Sequence, residues 1–168
     1  VFRPGLFDGR TVIVTGGARG IGLAVAQRLA ADGARVAIWD RDGAEAKAAA
    51  ASLGPEHRAF ICDVADEAAV GTAAEASWQV FGRIDGLVNN AGILGPVAPL
   101  WEHSSADFRR VVDTNLVGTF LVSKACAIRM RTQTGPNRGR IVNVSSIQAK
   151  EGMPMAAAYA ASKAGIVS

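Results

Sequence analysis

Cysteine is scarce: only two stand among the 168 residues. Cys62 and Cys126 lie alone in apolar surroundings, with neither the density of a secreted disulfide framework nor the CxxC spacing of a metal site, and both read as small buried hydrophobes. His57 and His103 lack ligand-type neighbours at metal spacing, so no metal is expected and both read as ordinary surface or partly buried histidines. The chain shows no charged-then-apolar leader and no run of about 18 apolar residues, which argues against secretion and membrane spanning and makes the cytoplasm the default location. A strong excess of one charge is also lacking. The formal net charge is +3, the basic residues are scattered, and the pairs Arg129, Arg131 and Arg138, Arg140 flank a loop, so no nucleic-acid footprint is read.

Alanine, glycine and valine are abundant instead, in a chain long enough for one domain with a sizeable core. Strand and helix signals alternate. Thr11 to Thr15 is a β-branched run ending in glycines, followed by a helical pattern from Ile21 to Ala31 closed by Gly33. Strands are predicted at 35–39, 58–62, 84–89 and 140–144, and helices at 43–53, 67–81 and about 106–131, with a last helix starting near Ala157. Ser104 or Ser105 caps the long helix, and the Gly- and Pro-bearing stretch 134–139 ends it. This alternation predicts an α/β fold, a Rossmann-like doubly wound parallel sheet with helices on both faces and ligands at the carboxyl ends of its strands.

Thr15-Gly16-Gly17-Ala18-Arg19-Gly20-Ile21-Gly22 lies where the first strand meets the first helix. Backbone N–H groups and a positive helix end there suit a pyrophosphate, which side chains would obstruct. The spacing is GxxxGxG, not the GxGxxG fingerprint, so the turn by itself leaves a purely structural reading open. Asp40 ends the second strand, where a carboxylate accepts hydrogen bonds from an adenosine ribose and repels a 2′-phosphate, which favours NAD. Arg19 and Arg41 point toward NADP, because a guanidinium there would bind that phosphate. Tyr159 and Lys163 stand four residues apart, on one face of a helix, thirteen residues after Ser146. A cation held under a phenol stabilises its phenolate, so this tyrosine is a candidate for moving protons.

These motifs resemble the short-chain dehydrogenase/reductase family. Its TGxxxGIG motif is matched by Thr15 to Gly22, its Asp-Val pair by Asp63 and Val64, and its NNAG motif by Asn89, Asn90, Ala91 and Gly92. Its catalytic asparagine, serine and YxxxK pair are matched by Asn115, Ser146, Tyr159 and Lys163. The resemblance implies one NAD(P)-binding domain over residues 1–168 and hydride transfer between a nicotinamide cofactor and a secondary alcohol or ketone. It implies that Gly16, Arg19, Gly20, Ile21, Gly22, Asp40, Arg41, Asp63, Val64, Asn90, Ala91 and Gly92 contact the cofactor, together with Tyr159 and Lys163. Asn89 is expected to brace the sheet. In the implied chemistry Ser146 binds the substrate oxygen, Tyr159 transfers the proton, Lys163 holds the nicotinamide ribose and supports Tyr159, and Asn115 organises a water toward Lys163.

Family members are longer, and on that comparison the C-terminal part of the fold is expected to be missing, leaving an apolar sheet edge. Leu94 to Val97, Gln148, Met153 and Met155 fall where substrate-facing residues lie in the family, and the 150–154 stretch resembles members acting on 3-oxoacyl thioesters, sugar acids or polyols. The resemblance also implies a homodimer or homotetramer built on the helices at 106–131 and after Ala157. A non-catalytic dinucleotide-binding module is the alternative, though the intact tetrad speaks against it. An extended-type epimerase is disfavoured by its TGxxGxxG spacing, which Gly16, Gly20 and Gly22 do not match.

Overall fold

A computed structural model describes residues 5–135 and 138–168; Pro136, in the stretch expected to end the long helix, lies outside them. Five strands, β1 (Thr11–Thr15), β2 (Arg35–Asp40), β3 (Arg58–Ile61), β4 (Gly86–Asn89) and β5 (Arg140–Asn143), form one sheet in the order β3-β2-β1-β4-β5. Every pairing is parallel, with Thr15 beside Trp39, Val14 beside Val88 and Val88 beside Val142. Side chains alternate across a strand, so β1 serves two cores. Ile13 joins Ala37, Trp39, Val70 and Val122 under helices α3 (Glu67–Phe81) and α5 (Gly118–Met130). Val12 and Val14 join Val36, Ile38, Ala26 and Ala46 under α1 (Gly20–Ala31) and α2 (Gly43–Leu53). That is the doubly wound arrangement, and β5 carries its apolar edge: Ile141 and Val142 are 39% and 56% exposed.

Strands β2, β3 and β5 end within one residue of the sequence reading, and larger differences arise at β4, the long helix and the approach to the last helix. β4 begins at Gly86, two residues late, because Gln133 takes the backbone of Ile84: its Oε1 accepts the Ile84 N–H at 2.7 Å and its Nε2 donates to the Ile84 carbonyl at 3.0 Å. The helix expected over 106–131 is divided into α4 (Ser105–Val112), a π-turn (Asp113–Val117) and α5. Ser104 is its cap, accepting the Asp107 N–H at 3.0 Å. A four-residue helix, α6 (Gln148–Glu151), stands unannounced before α7 (Ala157–Val167). The 26-residue stretch Ser105–Met130 contains an 18-residue window of mean hydropathy 1.4, long and apolar enough by length and composition to cross a membrane, although it holds no run of about 18 apolar residues. Its Leu121, Val122, Cys126 and Met130 are nevertheless core residues of the sheet.

Charge clusters at the amino ends of the strands. Burial alone would raise the Asp85 pKa, but hydrogen bonds from Arg83, the Thr11 N–H and Arg10 outweigh it and hold the carboxyl below the ordinary value. His57 is buried more deeply than the surface or partly buried position expected: its Nδ1 accepts the Val36 N–H at 3.0 Å, and Nε2 lies 3.3 Å from Glu56. Nδ1 must therefore be unprotonated. Desolvation lowers the His57 pKa, against the opposing pull of Glu56. The unfolded chain then binds a proton near the free-histidine pKa of about 6.5 while the folded protein does not, so stability is complete above that pH and falls as pH drops below it. The urea midpoint is expected to fall between about pH 7 and pH 5, above the range where Asp85 titrates. A His57→Gln variant should show a flatter profile; an equal slope would assign the loss elsewhere.

Candidate active site

The groove lies at the carboxyl ends of the strands. β1 ends in the glycine turn, where Gly16 adopts φ +62° and donates its N–H to the Trp39 carbonyl at 2.8 Å. Asp40 anchors the same turn by accepting the Ala18 N–H at 3.2 Å and the Asp42 N–H at 3.1 Å. Helices α2, α3 and α4 are capped by the side chains of Asp42, Asp66 and Ser104. α1 is not: no side chain caps it and no acidic residue stands in its first turn. Its first N–H groups therefore retain unmet donor capacity and a positive end that suits an anion.

Thr15 ties this turn to the loop after β4. Its Oγ1 accepts the Asn90 and Ala91 N–H groups at 3.0 and 3.1 Å, and Asn90 Nδ2 returns bonds to the carbonyls of Thr15 and Gly16 at 3.1 and 3.2 Å. A cavity of about 310 Å³ runs along them, lined by Gly16, Arg19, Ile21, Asp40, Asp63 and Asn90 among others, a volume at the lower end of small-molecule sites, about 300–1,000 Å³. Asn89 points away from it and donates to Ser123 at 2.8 Å and Asn143 at 2.9 Å, bracing β4 against α5 and β5.

A second cavity of about 440 Å³ adjoins the first through Ile21, Asn90, Gly92 and Ile93, and contains Ser146, Gln148, Tyr159 and Lys163. Lys163 is buried, which lowers its pKa. Its Nζ donates to the Val144 carbonyl at 2.8 Å and stands 5.8 Å from the centre of the Tyr159 ring. β5 ends there, one residue earlier than the sequence indicated, with the carbonyl of Val144 serving Lys163. Asn115 is fully buried in the π-turn, a departure from helix geometry often found at functional sites. Its Oδ1 accepts the Ile93 N–H at 2.8 Å, and its Nδ2 donates to the Ile93 carbonyl and to Ser162 Oγ, both at 3.0 Å.

Most residues singled out from sequence gather here: Arg41, Val64, Ala91 and Gly92 also line the first cavity. Gly22 and Asn115 lie beneath the groove and line neither cavity, and Gly20 opens α1 with open space where a Cβ would stand. Sequence reasoning overlooked Trp39, Cys62 and Thr114 along the first cavity and Ser162 behind the second. Each directly precedes a residue already singled out, Asp40, Asp63, Asn115 or Lys163, but its own residue type carried no functional signal. Burial, with Asp63 and Asp66 nearby, pushes the Cys62 thiol up to about 12, which keeps it protonated and inert.

The family described as short chain dehydrogenase matches residues 10–168. A 2-dehydro-3-deoxy-L-rhamnonate dehydrogenase (NAD(+)) of Sphingomonas sp. (strain SKA58) is 43% identical over 97% of this chain and 64% of its own length. A D-threitol dehydrogenase of Mycolicibacterium smegmatis is 45% identical over 95% of this chain and 61% of its own. The structure of an NAD+-bound xylitol dehydrogenase superposes with a TM-score of 0.91 at 42% identity, covering 96% of this chain and 62% of that one. The chain thus spans less than two thirds of these relatives. With its parallel sheet, glycine turn and matched motifs, it belongs to the short-chain dehydrogenase family.

Proposed function

We propose that the protein is an NAD-dependent oxidoreductase that moves hydride between the cofactor and a secondary alcohol or ketone, with polyols or sugar acids as the substrate class. The observation that carries this reading is the joining of two cavities: the turn at the uncapped end of α1 opens directly onto the pocket of Ser146, Tyr159 and Lys163. The glycine turn fits a dinucleotide, since a Cβ on Gly16 would lie 3.0 Å from the Ala91 backbone and fill the cradle. Gly16, Arg19, Gly20, Ile21, Asp63, Val64, Asn90, Ala91 and Gly92 would hold its phosphates and adenosine. The bound nicotinamide supplies or accepts the hydride. Ser146 would donate a hydrogen bond to the substrate oxygen, Tyr159 would give or take the proton at that oxygen, and Lys163 would hold positive charge beside Tyr159 and bind the nicotinamide ribose. Asn115 would fix the loop at Ile93 and order water toward Lys163. The relatives whose names specify polyol or sugar-acid substrates support that substrate class. Val117 at the end of the π-turn and Phe120 and Ile128 along α5 remain exposed, which supports a homo-oligomer built on that stretch.

Asp40 would select NAD by accepting from the adenosine ribose. Arg41 lines the same end of the groove, while Arg19 is drawn to Glu45 at 3.3 Å. Removing the carboxylate in Asp40→Ala should take away the charge that repels a 2′-phosphate and leave Arg41, at the same end of the groove, to receive it. The ratio of kcat/KM for NADP over NAD is expected to rise by about tenfold or more, comparable to one charge-assisted hydrogen bond. An unchanged ratio would remove Asp40 from cofactor selection. The reading as a whole is tested on the full-length protein by NADH binding followed by fluorescence and by NAD+ reduction with xylitol, D-threitol, galactitol and 2-butanol. NADH binding with no turnover of any alcohol or ketone would indicate a binding module.

A further inference from the structure

Two irregular segments wall the opening above Ser146 and Tyr159. The loop 93–99 contributes Ile93 and Leu94, and the turn 152–156 between α6 and α7 contributes Met153. Loops of this kind hold a shape only where their backbone groups are tied down. The base of the first is tied by Asn115, which grips both the N–H and the carbonyl of Ile93. Its far end is tied by a residue outside the family motifs. The Ala98 N–H donates to the Met155 carbonyl at 2.8 Å, and His103 Nε2 lies 2.8 Å from the Ala98 carbonyl and 3.1 Å from the Met155 carbonyl.

Both of those partners are carbonyl oxygens, which only accept, so Nε2 carries a proton and shares it between the two segments. The other ring nitrogen, Nδ1, is buried without a partner; the Nε2 contacts are thus the ring's polar anchoring. Met155 gives a second, independent sign of a fixed geometry. It has φ +63°, the one positive value at a non-glycine residue among the described residues. A side-chain-bearing residue persists in that left-handed region only where its surroundings over-determine it. Met155 is 51% exposed; besides the turn bond from the Ala156 N–H to the Met153 carbonyl at 3.2 Å that spans it, the contact that ties it to the facing loop is its own carbonyl, which accepts from both Ala98 and His103. His103 also sits just before the cap of α4, and Asn115 just beyond the other end of that helix. The loop is therefore strung between the two ends of one eight-residue helix of about 12 Å.

We propose that His103 is a positioning residue of the substrate opening: its Nε2–H staples loop 93–99 to turn 152–156 and so fixes the gap between Leu94 and Met153 through which the alcohol reaches Ser146 and Tyr159. The substrate part of this inference rests on the function proposed above; the staple itself does not. His103 touches neither cofactor cradle nor reacting atoms, so its loss should weaken substrate capture and leave chemistry and cofactor binding in place.

The test compares His103→Ala with His103→Gln in the full-length protein, the glutamine side-chain amide being able to donate to both carbonyls. In His103→Ala, hydrogen exchange at the Ala98 amide is expected to accelerate about tenfold or more, and KM for whichever of xylitol, D-threitol, galactitol or 2-butanol the parent oxidises best should rise about tenfold. The value of kcat and the NADH affinity should stay within about threefold of the parent, and His103→Gln should recover most of the KM. Unchanged Ala98 exchange in His103→Ala would overturn the staple whatever the activity. Faster exchange with an unchanged KM would overturn its role at the opening, as would a parallel loss of NADH affinity in both variants. A parent protein that binds NADH and oxidises none of the four alcohols would defeat the functional reading instead, and Ala98 exchange would still decide the contact.

Discussion

A Tyr159→Phe variant is expected to bind NADH as the parent does and to oxidise alcohols about 10²- to 10⁴-fold more slowly, the range that positioned acid–base groups contribute. The substitution removes one oxygen atom. Among the described residues that hydroxyl makes no hydrogen bond, so its loss breaks no structural contact. The ring, the α7 helix and the bond from Lys163 to Val144 remain, and the stability change should stay within about 0.5 kcal/mol, as for substitutions away from packed or bonded sites. Kinetics at saturating cofactor and alcohol, beside an NADH titration, separate the two effects. A near-normal kcat would take Tyr159 out of the chemistry and leave the groove as a binding site. The size of the expected loss follows from where Lys163 stands: a buried ammonium with one carbonyl partner retains N–H donors and charge to direct at the phenol side of its own helix.

The strands and first three helices were legible because each rests on a local signal: β-branched residues in β1 and β2, alanine-rich helical stretches, and Gly33, Gly54 and Gly82 as stops. What escaped was settled by contacts distant in sequence. The start of β4 depends on Gln133, and its side chain satisfies a backbone 49 residues away. The π-turn inserts its extra residue into an apolar helix without disturbing composition; its trace is a polar Asn115 where a core residue would stand, and its cause is the demand of Ile93 and Ser162 on that side chain. His57 read as ordinary because nothing in its neighbourhood reveals that the N–H of Val36 lies across the gap. In the site, the glycine, NNAG and YxxxK motifs marked the groove, whereas Trp39, Cys62 and Thr114, beside the marked Asp40, Asp63 and Asn115, line it without a residue type that signals a role.

Gly22→Ala is expected to damage cofactor binding most severely of the changes outside the catalytic group, raising the NADH dissociation constant by about 100-fold or more, the scale of about 2.7 kcal/mol. Gly22 is buried in the first turn of α1, and a Cβ built there would stand 2.1 Å from the Gly16 carbonyl oxygen and 2.6 Å from Asn90 Nδ2. Backbone cannot yield as a flexible side chain does, so either α1 or the glycine turn must move. Moving the turn breaks the Asn90 bonds to Thr15 and Gly16 that join it to the loop after β4, and moving α1 withdraws its N–H groups from the place proposed for the phosphates. Overpacking of this kind costs about 1–3 kcal/mol of stability or more, so a lowered thermal midpoint should accompany the loss of binding. Gly71→Ala supplies the contrast. Gly71 lies within α3, exposed, and a Cβ there meets nothing within 4 Å; the helix should gain up to about 1 kcal/mol while NADH affinity stays unchanged. If Gly22→Ala bound NADH like the parent, the close contact between α1 and the turn would not be what shapes the cradle. If both variants lost affinity together, the damage would lie in the fold at large and not at the contact of Gly22 with Gly16.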